Sequence, residues 1–115
     1  MNGFGEHHIK RSTLIQTAEL LVEEMLAFHS SKFGHAKFSD IVEECRKSNL
    51  ITADRYAGDY VLRNYVTGDL AFLDNCNNEI RFMDLKFAGL CRDAYASQHH
   101  RTKLDILRVV EKGEL

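Results

Sequence analysis

The 115-residue chain has no proline and no tryptophan. Average usage would place about six prolines in such a chain (roughly 5% of residues). Their absence excludes polyproline linkers and leaves helices free to run without a kink. Charge of one sign is lacking as well. Fifteen Lys and Arg stand against 17 Asp and Glu, a net charge of −2. That excludes the strongly basic tail that would mark a nucleic-acid binder, and turns the question to how the charges are distributed. No apolar run approaches the ~20 residues of a bilayer span. The opening Met1-Asn2-Gly3-Phe4-Gly5-Glu6-His7-His8 has no apolar stretch behind a positive one. No secretory signal is read there, and a cytoplasmic location is expected.

Cysteine and histidine offer little for chemistry. Cys45, Cys76 and Cys91 are odd in number, widely spaced and form no C-x-x-C. They are read as reduced thiols, Cys45 and Cys91 in the core and Cys76 in a polar turn. The adjacent pairs His7-His8 and His99-His100 cannot place both rings on one helical face. No metal and no cofactor are expected. A nucleophile elbow, a phosphate-cradling Gly-rich loop and a zinc-protease motif are all missing. Glu23-Glu24 and Glu43-Glu44 read as solvated helix faces, so the chain is expected not to be an enzyme.

What is present is a single domain's worth of patterned sequence, 44% hydrophobic and able to build one modest core. Residues 1–11 lack periodicity and read as a flexible arm. Thr13 with Gln16 is a capping-box pattern, with Ser12 as a rival cap. Leu14, Ala18, Leu21, Val22, Met25 and Leu26 then recur at three and four, an amphipathic helix of about four turns. Ser39 is a plausible cap for a second helix, with Phe38 before it and Ile41, Val42 and Cys45 turned inward. Thr52 is read as the cap of a third helix reaching roughly Val66 and stopped by Gly68. The period then changes. Leu70-Ala71-Phe72-Leu73 and Ile80-Arg81-Phe82-Met83 flank the turn-rich Asp74-Asn75-Cys76-Asn77-Asn78 and predict a β-hairpin. Phe87, Leu90, Cys91 and Ala94 restore helical spacing. Thr102 with Asp105 suggests a last cap, and Leu104, Ile106, Leu107, Val109 and Val110 a final helix, separate from or continuous with the one before it.

Several stretches carry a family likeness. Phe38-Ser39-Asp40-Ile41-Val42-Glu43-Glu44-Cys45 resembles the second helix of winged helix-turn-helix domains, and Asn49-Leu50-Ile51-Thr52 the turn into their third. Asn64-Tyr65-Val66-Thr67-Gly68-Asp69-Leu70 is similar to the junction of helix and wing. Phe82-Met83-Asp84-Leu85-Lys86-Phe87-Ala88-Gly89-Leu90 is similar to a wing strand running into a closing helix. The resemblance to the winged helix-turn-helix superfamily covers residues 13 to about 95 and singles out no member family. The expected fold is mainly α with a small β-hairpin, winged helix-turn-helix-like over residues 12–96, with an extra C-terminal helix over 97–115 serving as a dimerisation element. A helical bundle decorated by a hairpin is the rival architecture.

The resemblance implies a third helix laid in a DNA major groove. With Ala57, Tyr60, Val61 and Asn64 inward, that helix would present Arg55, Leu62, Arg63 and Val66 outward. Arg55 and Arg63 are then the candidates for reading guanine, and Lys32, Lys37, Arg46, Lys47 and Arg81 the candidates for phosphate contacts. Leu62 and Val66 are apolar where a DNA reader wants polar groups, and suggest a protein interface instead. Leu104, Leu107 and Val110 form a further stripe for a second subunit. Two functions therefore stand side by side. One is a DNA-binding regulator of transcription or replication, dimeric and bound to double-stranded DNA. The other is a protein-protein interaction module, an adaptor or inhibitor of a larger complex with no DNA binding.

Overall fold

A computed structural model describes residues 10–30, 35–74, 76–98 and 103–110. Among them are three helices and a four-stranded antiparallel sheet, a mixed α and β domain. The elements run α1 (Arg11–Ser30), α2 (His35–Lys47), β1 (Ile51–Thr52), β2 (Tyr60–Asn64), β3 (Arg81–Phe82), α3 (Leu85–Gln98) and β4 (Leu104–Arg108). Residues 1–9 of the expected arm, with His7 and His8, lie outside the described residues, as do Lys32, His99 and His100.

The helical stripe predicted for α1 is the one that is buried: Ala18, Leu21, Val22 and Met25 all lie in the core. The helix starts earlier than the capping box suggests. Leu14 donates its N–H to the Lys10 carbonyl, so Ser12 and Thr13 are already helical and neither is the cap. Ser39 likewise falls inside α2 rather than at its start. Phe38, expected just before the cap, opens the buried stripe that continues through Val42 and Cys45. Burial of that ring extends the helix through a residue that would otherwise cap it. The other end of α2 closes on Asn49 in the left-handed region, φ 57°. Leu50 donates to the Cys45 carbonyl and Asn49 to that of Arg46, the paired bonds of a Schellman motif with asparagine in glycine's usual place.

The third helix is not there. Thr52 ends a two-residue strand, and its hydroxyl accepts the Asp54 N–H instead of capping a helix. Residues 53–59 are a turn and 60–64 are strand β2. The reason lies in Val61 and Leu62, which are adjacent and both buried. A helix cannot turn neighbours to opposite sides, whereas a strand does so at every step. Leu62 joins the core beneath the helices, and Val61 lies outside that cluster, toward the other face. Leu62, expected to point outward, is 1% exposed.

The hairpin fares better. Leu73 bridges Glu79, and Ile80 donates to the Phe72 carbonyl. At the tip, one Asp74 carboxylate oxygen accepts the N–H groups of Cys76 and Asn78. Ahead of it Leu70 bridges Arg63 and Ala71 donates to the Leu62 carbonyl, so the segment starts alongside β2. It then returns as β3, between β1 and β2. Asp84 caps α3 by accepting the Phe87 N–H.

The final helix is also replaced by a strand. β4 pairs with β2 through five residues, from Tyr60 opposite Arg108 to Asn64 opposite Leu104. Leu104, Ile106 and Leu107 fit either period; β-branched Ile106 and Val109 fit a strand, and an open edge of β2 was there to receive it. The segment read as an appendage is thus part of the domain's own sheet.

The helices cover one face of the sheet, α1 packing against both α2 and α3. Between the layers lie Phe38, Phe72, Phe82 and Phe87 with Leu21, Met25, Ile51, Leu62 and Ile80. Phe82 meets Phe72 edge-on at 5.7 Å and Phe87 at 5.9 Å between ring centroids, arrangements that favour aromatic pairs.

Candidate functional site

β1 and β2 both pair antiparallel with β3, and Ile51 and Tyr60 both stand level with Phe82. They therefore point the same way, and the turns that follow them leave from the same end of the sheet. The hairpin tip joins them there. Residues 53–56 and 77–79 line an open groove of about 490 Å³.

The loops at this end are built by one device, an Asx side chain that accepts the N–H of the residue two further on. Asp54 holds Tyr56 at 2.9 Å, Asn64 holds Val66 at 2.8 Å and Asp74 holds Cys76 at 2.8 Å. Further bonds close each loop. Ala57 donates to the Asp54 carbonyl, Asn64 donates to the Asp69 carbonyl, and Gly68 donates back to the Asn64 carbonyl. Backbone groups are thus consumed locally, and side chains at the turn tips are pushed outward. Tyr56 is 82% exposed, Tyr65 64% and Val66 79%. The Arg55 guanidinium lies 5.4 Å from the centroid of the Tyr56 ring, within the range of a cation–π contact.

The sequence candidates for DNA contact separate into groups. Arg46 donates to Glu43 at 2.8 Å on the outside of α2. Arg63 on β2 donates to Asp105 on β4 at 3.3 Å, and its Nε is buried without an acceptor. Arg81 on β3 donates to Glu79 at 2.9 Å. Arg55 and Lys47 are exposed, and Arg55 alone belongs to the loop end. Lys37 sits in α2, with its side chain outside the described residues. The fold therefore brings Arg55, Arg63 and Arg81 to the sheet and leaves Arg46 and Lys47 at the end of a helix.

The interface candidates also divide. Leu62 and Leu104 are core residues, Leu107 is half-buried, and Val66 and Val110 are exposed. Tyr56 and Tyr65 were missed by sequence reasoning, because a helix over 52–66 hides them. The signal that could have found them is an Asx residue one or two positions before each tyrosine, the mark of a turn rather than a helix interior.

The thiols are placed as expected, Cys45 and Cys91 buried and Cys76 exposed. Burial, reinforced by the neighbouring Glu44 carboxylate, pushes the Cys45 thiol up to about 12. Burial also raises that of Cys91, with Cys45 adding to the effect. Neither is a nucleophile at neutral pH. Among the described residues no cluster of His, Cys, Asp and Glu is arranged to hold a metal ion, and no helix is long and apolar enough to cross a membrane. No protein family, curated protein or solved structure matches the chain.

Proposed function

We propose that this domain is a protein-interaction module that docks a partner through the loop end of its sheet. The observation that carries the reading is the exposure of Tyr56, Tyr65 and Val66 on turns closed by their own hydrogen bonds. Large side chains presented on a pre-ordered backbone lose little entropy on binding. Tyrosine is also among the residue types that dominate interface energies. The surrounding charge is mixed, with Arg55 beside Asp54 and with Asp69 next to Gly68, so the recognition is by shape and apolar contact rather than by a field of one sign.

The DNA-binding reading draws its support from exposed Arg55 and Lys47 and from the hairpin that resembles a wing. It is the weaker of the two. Residues 53–66 supply no helix for a major groove, and Arg46, Arg63 and Arg81 each already face a carboxylate. Phosphate would have to displace those partners. The test uses the full chain carrying a photo-crosslinking side chain at position 65, or at exposed Glu19 on α1 as a control. Crosslinking to a protein partner in the native cell should occur at 65 and not at 19. It should vanish when Tyr56→Ser and Val66→Ser are added to the chain that carries the crosslinker at 65. Duplex DNA retained by the wild type in ~50 mM salt, where electrostatic affinity is favoured, would select the other function.

A further inference from the structure

β4 is an edge strand, and its pattern of hydrogen bonds fixes what the open edge offers. Tyr65 donates to the Lys103 carbonyl and Val109 to the Asp59 carbonyl. Antiparallel ladders alternate, so residues 103, 105, 107 and 109 turn their backbone groups toward β2, and positions between them turn theirs away. The N–H and C=O of Leu104 and Ile106 therefore point outward, and among the described residues neither finds a backbone partner on that side.

Two of the usual protections of an edge are missing from this one, although Asp105 and Arg108 lie on it. No proline interrupts it, and its five-residue register with β2 runs without a bulge. The side chains of Leu104 and Ile106 belong to the core side, where both are wholly or partly buried. The edge is also self-complementary. Two antiparallel strands related by a two-fold axis normal to the sheet must pair with the axis at one residue. Where that residue turns its groups outward, it exchanges both of its hydrogen bonds with its own copy. Ile106 is at the middle of the strand and does so.

We propose that two copies of the chain pair through β4, Ile106 opposite Ile106 of the second copy, joining two four-stranded sheets into one. Each Leu104 then reaches toward position 108 of the other strand. The helix-side apolar layers meet at Leu104 and Ile106. On the opposite face Leu107 stands directly across from Asp105 of the second copy. That is a non-hydrogen-bonded pair, the closer of the two kinds at about 4.5 Å between Cα atoms. The inference is independent of the docking proposed for the loop end, because β4 lies along one edge of the sheet while Tyr56, Tyr65 and Val66 sit on turns.

The Leu107–Asp105 pairing supplies a test in which two variants of one residue act in opposite directions. Leu107→Asp places two like-charge pairs at the junction and should loosen the dimer about tenfold, since two such pairs each cost up to about 1 kcal/mol. Leu107→Lys places two opposite-charge pairs there and should tighten it relative to Leu107→Asp by more than that. Both lose the same leucine packing, so a purely structural effect moves them together. Dissociation constants are measured by sedimentation equilibrium on the full chain. Ile106→Pro removes an outward N–H together with a partly buried side chain and should yield a monomer; a melting curve checks that it folds. If it does not fold, the Leu107 pair still decides. A wild type that is monomeric at its highest soluble concentration overturns the proposal. So does a dimer that responds equally to the two Leu107 variants.

Discussion

The two turns that present the exposed tyrosines are alike in local chemistry and unlike in what lies behind them. The crossover over residues 53–59 and the turn over 65–69 each begin with an Asx turn and each contain a glycine in the left-handed region, Gly58 at φ 72° and Gly68 at φ 82°. Behind Gly58 the chain is in contact with the sheet it crosses. A Cβ there would stand 2.8 Å from both the Arg81 Cβ and the Thr52 Cγ2. Behind Gly68 nothing lies within 4 Å. One glycine answers a demand for space and conformation together, the other a demand for conformation alone. The crossover is thus held by packing, and the 65–69 turn by its hydrogen bonds.

Four variants sharpen that contrast. Gly58→Ala should be the most damaging, about 3 kcal/mol in chemical denaturation, because left-handed strain and overpacking each cost about 1–3 kcal/mol. A loss no larger than that of Gly68→Ala would erase the distinction. Asn64→Ala removes the acceptor of two N–H groups, those of Val66 and Thr67. It should cost about 1–2 kcal/mol and raise amide exchange across residues 65–69 while leaving 53–59 protected. Gly68→Ala meets only the conformational penalty, about 1 kcal/mol, measured in the same melts. The smallest effect on stability belongs to the Tyr65→Ser, Val66→Ser pair. Both side chains are exposed, so the change should stay within about 0.5 kcal/mol even as partner binding is lost. A large loss of stability would mean that these side chains pack rather than dock.

Sequence patterning revealed the helices and the hairpin tip and misread the strands, for a reason visible in particular residues. Around α1 and α2 the buried positions keep helical spacing, and the polar loop at 74–78 stands apart from both flanks. In β2 the alternation that identifies a strand is erased, because Val61 and Leu62 are both buried, one on each side of the sheet. What remained was Ala57, Tyr60, Val61 and Asn64 at spacings of three and four, a helical pattern by coincidence. Gly58 in the middle of that pattern was the sign against it: in the left-handed region, it makes the turn that lets the chain cross β3. In the last segment, Leu104, Ile106, Leu107, Val109 and Val110 satisfy both periods. The choice was made by the unpaired edge of β2, a tertiary fact that no local window contains. The candidate site suffered from the same error, since its tyrosines exist as a surface only once 53–66 is a turn and a strand.

The place of β3 also sets an order of events. β1 and β2 touch it and not each other, so the middle of the sheet is supplied by residues 81–82, later in the chain than both neighbours. A growing polypeptide that has emerged only as far as the hairpin tip has two strands with an empty lane between them and a crossover with nothing to cross. Its α1–α2 pair can form early, being local in sequence, while β1 and β2 wait for a segment about twenty to thirty residues away. Truncations ending before position 80 should therefore leave a helical pair without a sheet, rather than a smaller version of the domain.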